Sequence, residues 1–133
     1  MKKQLILLVL FAIIGLTVSA QREFKMTGGD TTYIMKRYVF MLLEKGPERN
    51  QDSVTAAEIQ KGHLAHLNKL SETGKLAVAG PFENAGDHRG LLLFDVETID
   101  EALILEAEDP AVKSGRLKME AMYWWGAKGT KLP

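Results

Sequence analysis

Cysteine is absent from the 133-residue chain. That excludes a disulfide framework, thiolate zinc and iron–sulfur sites, and lipid attachment through cysteine. An excess of charge of either sign is also lacking, with 17 basic against 17 acidic side chains. The two small Lys/Arg clusters are interrupted by acids, so there is no electrostatic footprint for nucleic acid and none is expected as a partner. Glycine spacing fits neither G-x-G-x-x-G nor a P-loop, and no G-x-S-x-G elbow occurs. Long apolar runs are scarce too. The exception, Leu5 to Leu16, follows the basic Met1-Lys2-Lys3 and precedes Val18-Ser19-Ala20. Small residues thus stand at the −3 and −1 positions of a cleavage site before Gln21, the form of a secretory signal peptide over residues 1–20. The rival reading is a retained membrane anchor, but the run falls short of the roughly 20 residues that span a bilayer. Cleavage leaves 15 basic against 17 acidic side chains, and a periplasmic or secreted protein free of the membrane is expected. A small exported domain without disulfides must be held by its core or by self-association.

Past the cleavage site, residues 21–36 contain Thr27-Gly28-Gly29-Asp30-Thr31-Thr32, small and polar, and read as a flexible linker. A domain is expected over 37–128 and a polar tail over 129–133. Arg37 to Lys45 carries β-branched, aromatic and long apolar residues without alternation, which predicts a strand buried on both faces. Gly46-Pro47 ends it. Thr55 to Thr73 predicts a helix, with Thr55-Ala56-Ala57-Glu58 matching a capping box and Gly74 a left-handed stop. At 100° per residue Ile59, His63, His66, Leu67 and Leu70 share one face. Gly62 costs about 1 kcal/mol against alanine inside a helix, which points to close approach by another backbone or a ligand. Strands follow at Lys75–Gly80 and Gly90–Val96, joined by a turn-rich loop of hairpin length. Thr98-Ile99-Asp100-Glu101 is a second capping box. Pro110 ends that helix near Glu108, and Asp109-Pro110 then opens a short turn closed by Gly115. Arg116 to Trp125 is the last strand.

The order is β-α-β-β-α-β, an α+β domain of the ferredoxin-like type. Right-handed crossovers would place both helices on one face of a four-stranded sheet. The other face would remain apolar and bare, which predicts a homodimer of sheets packed face to face, against a monomer whose N-terminal arm covers the sheet.

Three groupings bear on chemistry. His63 with Asp109 is the first, because a carboxylate beside an imidazole fixes its tautomer and suits general acid–base work. The plainer reading makes His63 a half-buried core histidine and Asp109 an N-cap. The second is His63 with His66, at i and i+3 on one face as a metal pair requires. A further ligand such as Asp109 or His88 would be needed, spacing selects neither, and no metal or other cofactor is expected. The third is Gly80-Pro81-Phe82 with Asp87, His88 and Arg89. Gly80 and Pro81 would border a pocket, and Arg89 would hold a carboxylate or phenolate; the plainer reading is a solvated hairpin loop.

His63-Leu64-Ala65-His66-Leu67, Leu70, Gly74-Lys75-Leu76, Ala79-Gly80-Pro81, Glu101-Ala102 and Asp109-Pro110-Ala111-Val112-Lys113-Ser114-Gly115 together resemble the YCII-related (YciI-like) family over Tyr38 to Trp125. The resemblance implies a ferredoxin-like domain that dimerises as an α/β barrel. It also implies a cleft holding an invariant histidine and the aspartate of an Asp-Pro step, here His63 and Asp109, with His66 where relatives vary. Most relatives have no assigned reaction; one branch is similar to a dehydrochlorinase of chlorinated hydroxyhydroquinones. The chain departs from that pattern in its signal peptide and in Ala111-Val112, where relatives carry an aromatic. The expectation is an exported lyase- or isomerase-like enzyme acting on a small acid, aromatic or aliphatic, through His63 and Asp109, with His66, Gly80, Pro81 and Arg89 contacting the substrate. The alternative is a non-catalytic dimer that binds a small ligand or serves as an accessory module.

Overall fold

Apolar side chains on alternate positions of one long strand set the architecture. In a computed structural model, which describes residues 21–84 and 86–133, Val39, Met41 and Leu43 are buried in a row along that strand. The segment read as a signal peptide, residues 1–20, lies outside the described residues. Those residues form β1 (Glu23–Gly28), β2 (Thr31–Lys45), α1 (Ser53–Glu72), β3 (Leu76–Pro81), β4 (His88–Phe94), α2 (Ile99–Glu106), α3 (Pro110–Lys113) and β5 (Leu117–Ala127). Among them no helix is long and apolar enough to cross a membrane.

β2 lies in the middle of an antiparallel sheet. β5 pairs with it along one edge from Met35 to Lys45. Along the other edge it pairs first with β1 and then with β4, and β3 lies outside β4. This is an α+β arrangement consistent with a ferredoxin-like fold. The expected linker at 21–36 is not one. Residues 23–36 form a hairpin, with Gly28 paired to Thr31 around Gly29 at φ +58°. Phe24 and Met26 oppose Met35 and Tyr33, an alternation that a glycine-rich turn makes into a ribbon rather than slack chain. Pairing with the end of β5 and several side-chain contacts fasten the ribbon to the domain. Phe24 meets Trp125 edge-on at 4.9 Å. Arg22 and Lys36 each contact the Asp95 carboxylate at 2.6 Å.

The helices cover one sheet face. Val39, Met41, Leu43, Leu92 and Phe94 pack there with Leu70, Leu76, Val96 and Ala102. The helix starts follow capping chemistry, with one displacement. α1 begins at Ser53 rather than Thr55, because the Asp52 carboxylate accepts the Thr55 N–H at 2.9 Å and so caps a turn earlier. Thr98 and Asp109 cap α2 and α3 as their positions require. Among the described residues no helix lies on the opposite sheet face. Tyr38, Phe40, Leu91 and Leu93 are half-buried there, Met122 and Trp124 are exposed, and together they border an open apolar hollow.

Candidate functional site

α1 crosses the sheet so that His63 faces the segment between α2 and α3. Gly62 makes this possible. A Cβ on Gly62 would stand 2.9 Å from Cγ of Pro110, so the close approach expected there is to neither a backbone nor a ligand but to the rigid proline ring. The Asp109-Pro110 step is thereby pressed against α1 beside His63.

The contact that results is short. Asp109 is fully buried. Its Oδ2 lies 2.5 Å from Nδ1 of His63, and its Oδ1 accepts the Ala111 N–H at 2.7 Å. Burial acts to raise the Asp109 carboxyl, but the His63 ring, the Ala111 N–H and Glu106 outweigh it and hold the group below the usual carboxylate range. An ionised Asp109 accepts the proton on Nδ1 and leaves Nε2 with its lone pair. His63 lines a cavity of about 440 Å³, within the range of small-ligand sites. The cavity is walled by α1, by Gly80 and Pro81 of β3, by Arg89 and Gly90 of β4, and by Ala111 and Arg116 on the far side.

Glu106 also belongs to this corner, and sequence reasoning did not single it out. It is fully buried, and neither carboxyl oxygen has a hydrogen-bond partner among the described residues. Burial, and then the adjacent Asp109 carboxylate, push Glu106 up to about 9, so it is a neutral acid at neutral pH. A signal was present: Ile99, Ala102, Leu103 and Glu106 follow the 0, 3, 4, 7 spacing of one buried helix stripe.

The expected site residues thus divide. His63, Gly80, Pro81 and Arg89 line the cavity, and Asp109 stands behind His63 without reaching it. His66 does not line it; its Nε2 is buried without a hydrogen-bond partner, 3.6 Å from Oε2 of Glu106. His88 stands 3.5 Å from Glu44, apart from the cavity lining. The pairing of His63 with His66 as joint metal ligands is not realised, since each ring turns to its own carboxyl group. Among the described residues, His63, Glu106 and Asp109 do bring three ligand atoms within 4.8 Å of one another. A cation there would have to displace the proton between His63 and Asp109 and ionise Glu106.

A model of the YCII-related domain family matches residues 38–124. Among curated proteins none matches the chain. Among solved structures, a similar chain is 5-chloro-2-hydroxyhydroquinone dehydrochlorinase from Burkholderia phenoliruptrix AC1100, in complex with 2,5-dihydroxybenzoquinone. It is 26% identical, with a TM-score of 0.46 over 65% of this chain and 90% of that one.

Proposed function

The chain belongs to the YCII-related domain family, and from that premise we propose that it is a cofactor-independent enzyme of lyase or isomerase type. Its substrate is a small organic acid held in the cavity beside α1. His63 moves the proton through Nε2, and Asp109 holds the ring in the reactive tautomer and balances the imidazolium that forms. One observation carries this reading: the 2.5 Å contact between His63 Nδ1 and a fully buried Asp109, on the wall of an open cavity. A histidine serving the core alone has no need of a cavity beside it. Proton abstraction next to an acid group, followed by elimination or reprotonation, requires only such a base and a place to hold the anion.

The reading includes export after removal of residues 1–20 and assembly as a dimeric α/β barrel. The bare sheet face with Phe40, Leu93, Met122 and Trp124 supports a second copy as its cover. The processed chain is expected to sediment as a dimer, and Trp124→Asp as a monomer. A wild-type monomer at micromolar concentration would remove the assembly from the proposal.

The catalytic reading is tested by incubating a library of small acids with the protein in D₂O and following deuterium uptake and elimination by mass spectrometry. His63→Ala is expected to abolish the activity found with the wild type while the fold, followed by circular dichroism, is retained. Activity unchanged in His63→Ala would overturn the assignment. Ligands that raise the melting temperature but never exchange or react would instead indicate a binding module.

A further inference from the structure

Three arginines meet around the cavity, and the reaction assigned above gives work to one at most. Arg49 comes from the loop after β2, Arg89 from β4 and Arg116 from the turn into β5, and all three line the same space as His63. Among the described residues no carboxylate lines it with them. Among the described residues, every ion pair of the chain goes to other cations, and none of these three guanidinium groups has an acid within 4.0 Å.

Two of the three are built into place. Arg49 donates from Nη1 to the Arg116 carbonyl at 2.8 Å, and Arg116 donates from Nη1 to Oε1 of Gln51 at 2.8 Å. Gln51 in turn donates to the Ser114 carbonyl at 3.3 Å. The loop is closed onto this segment by backbone bonds from Gly46 to Arg116 and from Glu48 to Gly115. Gly46 must be glycine, since a Cβ there would stand 2.1 Å from the Gly115 carbonyl oxygen. Burial, and then the charges of Arg116 and Arg89, hold the Arg49 guanidinium below its ordinary range. Gathering like charges on a fixed frame costs free energy, and the cost is offset when an anion enters between them.

Resting on the acid–base reading above, we propose that the substrate is dianionic: an apolar or aromatic body bearing two carboxylates or a phosphomonoester, gripped by Arg49, Arg89 and Arg116. A single carboxylate is satisfied by one guanidinium fork. Three forks in one cavity match two carboxylates, or one phosphate with its larger number of acceptor oxygens. The apolar side of the cavity, Ile59, Leu64 and Leu67 of α1, receives the rest of the molecule and leaves its carbon framework toward His63.

Titration calorimetry on the processed protein with benzoate, phthalate and phenyl phosphate tests this, since the three share one ring and differ in charge. At low ionic strength the two dianions are expected to bind at least about tenfold more tightly than benzoate, with phthalate against phenyl phosphate separating the two anion types. Arg49→Gln and Arg116→Gln should each reduce dianion affinity about tenfold and leave benzoate within about twofold. Arg89→Gln, on an exposed side chain, provides the same comparison without touching the framework. Equal affinity for all three probes, binding of none, or a dianion preference that survives all three substitutions would overturn the inference. His63→Ala retains every guanidinium group. Its dianion preference should therefore persist even if the acid–base reading fails, whereas proton exchange by the wild type without that preference would sink this inference alone.

Discussion

Asp109→Asn is expected to lower turnover by roughly 10² to 10⁴ with little change in substrate affinity. Asp109 does not reach the cavity, being fully buried behind His63. Its contribution is to accept the Nδ1 proton and to offset the positive charge that the ring acquires in the transition state. An asparagine amide removes that charge, and with its NH₂ turned to Nδ1 it selects the tautomer whose Nε2 is protonated and no longer a base. The cap of α3 survives, because an asparagine oxygen can still accept the Ala111 N–H now held by Asp109 at 2.7 Å. Loss of activity should therefore come without loss of fold. The rate of the exchange or elimination identified with the wild type checks this, with unfolding in urea as the control. A rate within about threefold of wild type would show that the pairing is structural.

Glu106→Gln is expected to stabilise the protein above neutral pH by several kcal/mol and to flatten its pH dependence. In the unfolded chain Glu106 titrates near its ordinary 4.5, whereas in the fold it is raised to about 9. Between those values the folded state holds a proton that the unfolded state has released. Stability present below pH 4.5 is therefore lost as pH rises toward 9, at about 1.4 kcal/mol per unit, or about 4 kcal/mol from pH 5 to 8. Asp109 acts in the opposite sense. Its folded value is depressed, so its contribution is present above the ordinary aspartate range and lost as pH falls through the lowered value. The pair together favours mildly acidic conditions. Glutamine keeps the shape and has no proton to lose, so the alkaline decline should disappear. Urea unfolding of both proteins at pH 5, 7 and 9 measures the difference. Parallel wild-type and variant curves would show that Glu106 is ionised in the fold.

The parts of the chain that could be read correctly in one dimension are those governed by neighbours in sequence. Thr98 accepts from Glu101, and Asp109 from Ala111, because an N-cap reaches only two or three residues along. The strand at Arg37–Lys45 follows from a short run of β-branched, aromatic and long apolar residues, and the inward face of α1 from a period of 3.6. Where two local signals competed, reading by composition chose the wrong one. Gly28-Gly29-Asp30 suited both a linker and a hairpin turn, and what decided between them was pairing of Phe24 and Met26 with residues that follow the turn. Asp52 outbid Thr55 as the cap of α1 in the same way.

The sequence by itself determined the order of elements from the β2 strand onward, the caps of α2 and α3, the inward face of α1 and the presence of a histidine and an Asp-Pro step on one side of a sheet. Only the tertiary structure decided that Nδ1 of His63 meets Asp109, that Gly62 admits the ring of Pro110, that His66 turns to Glu106, and that Arg49, Arg89 and Arg116 surround one cavity. The reason is range. Caps and periodic faces depend on steric and hydrogen-bond terms spanning a few residues. The partner of a buried charge, and the proton it keeps, depend on which distant side chains remain near it once water has been excluded.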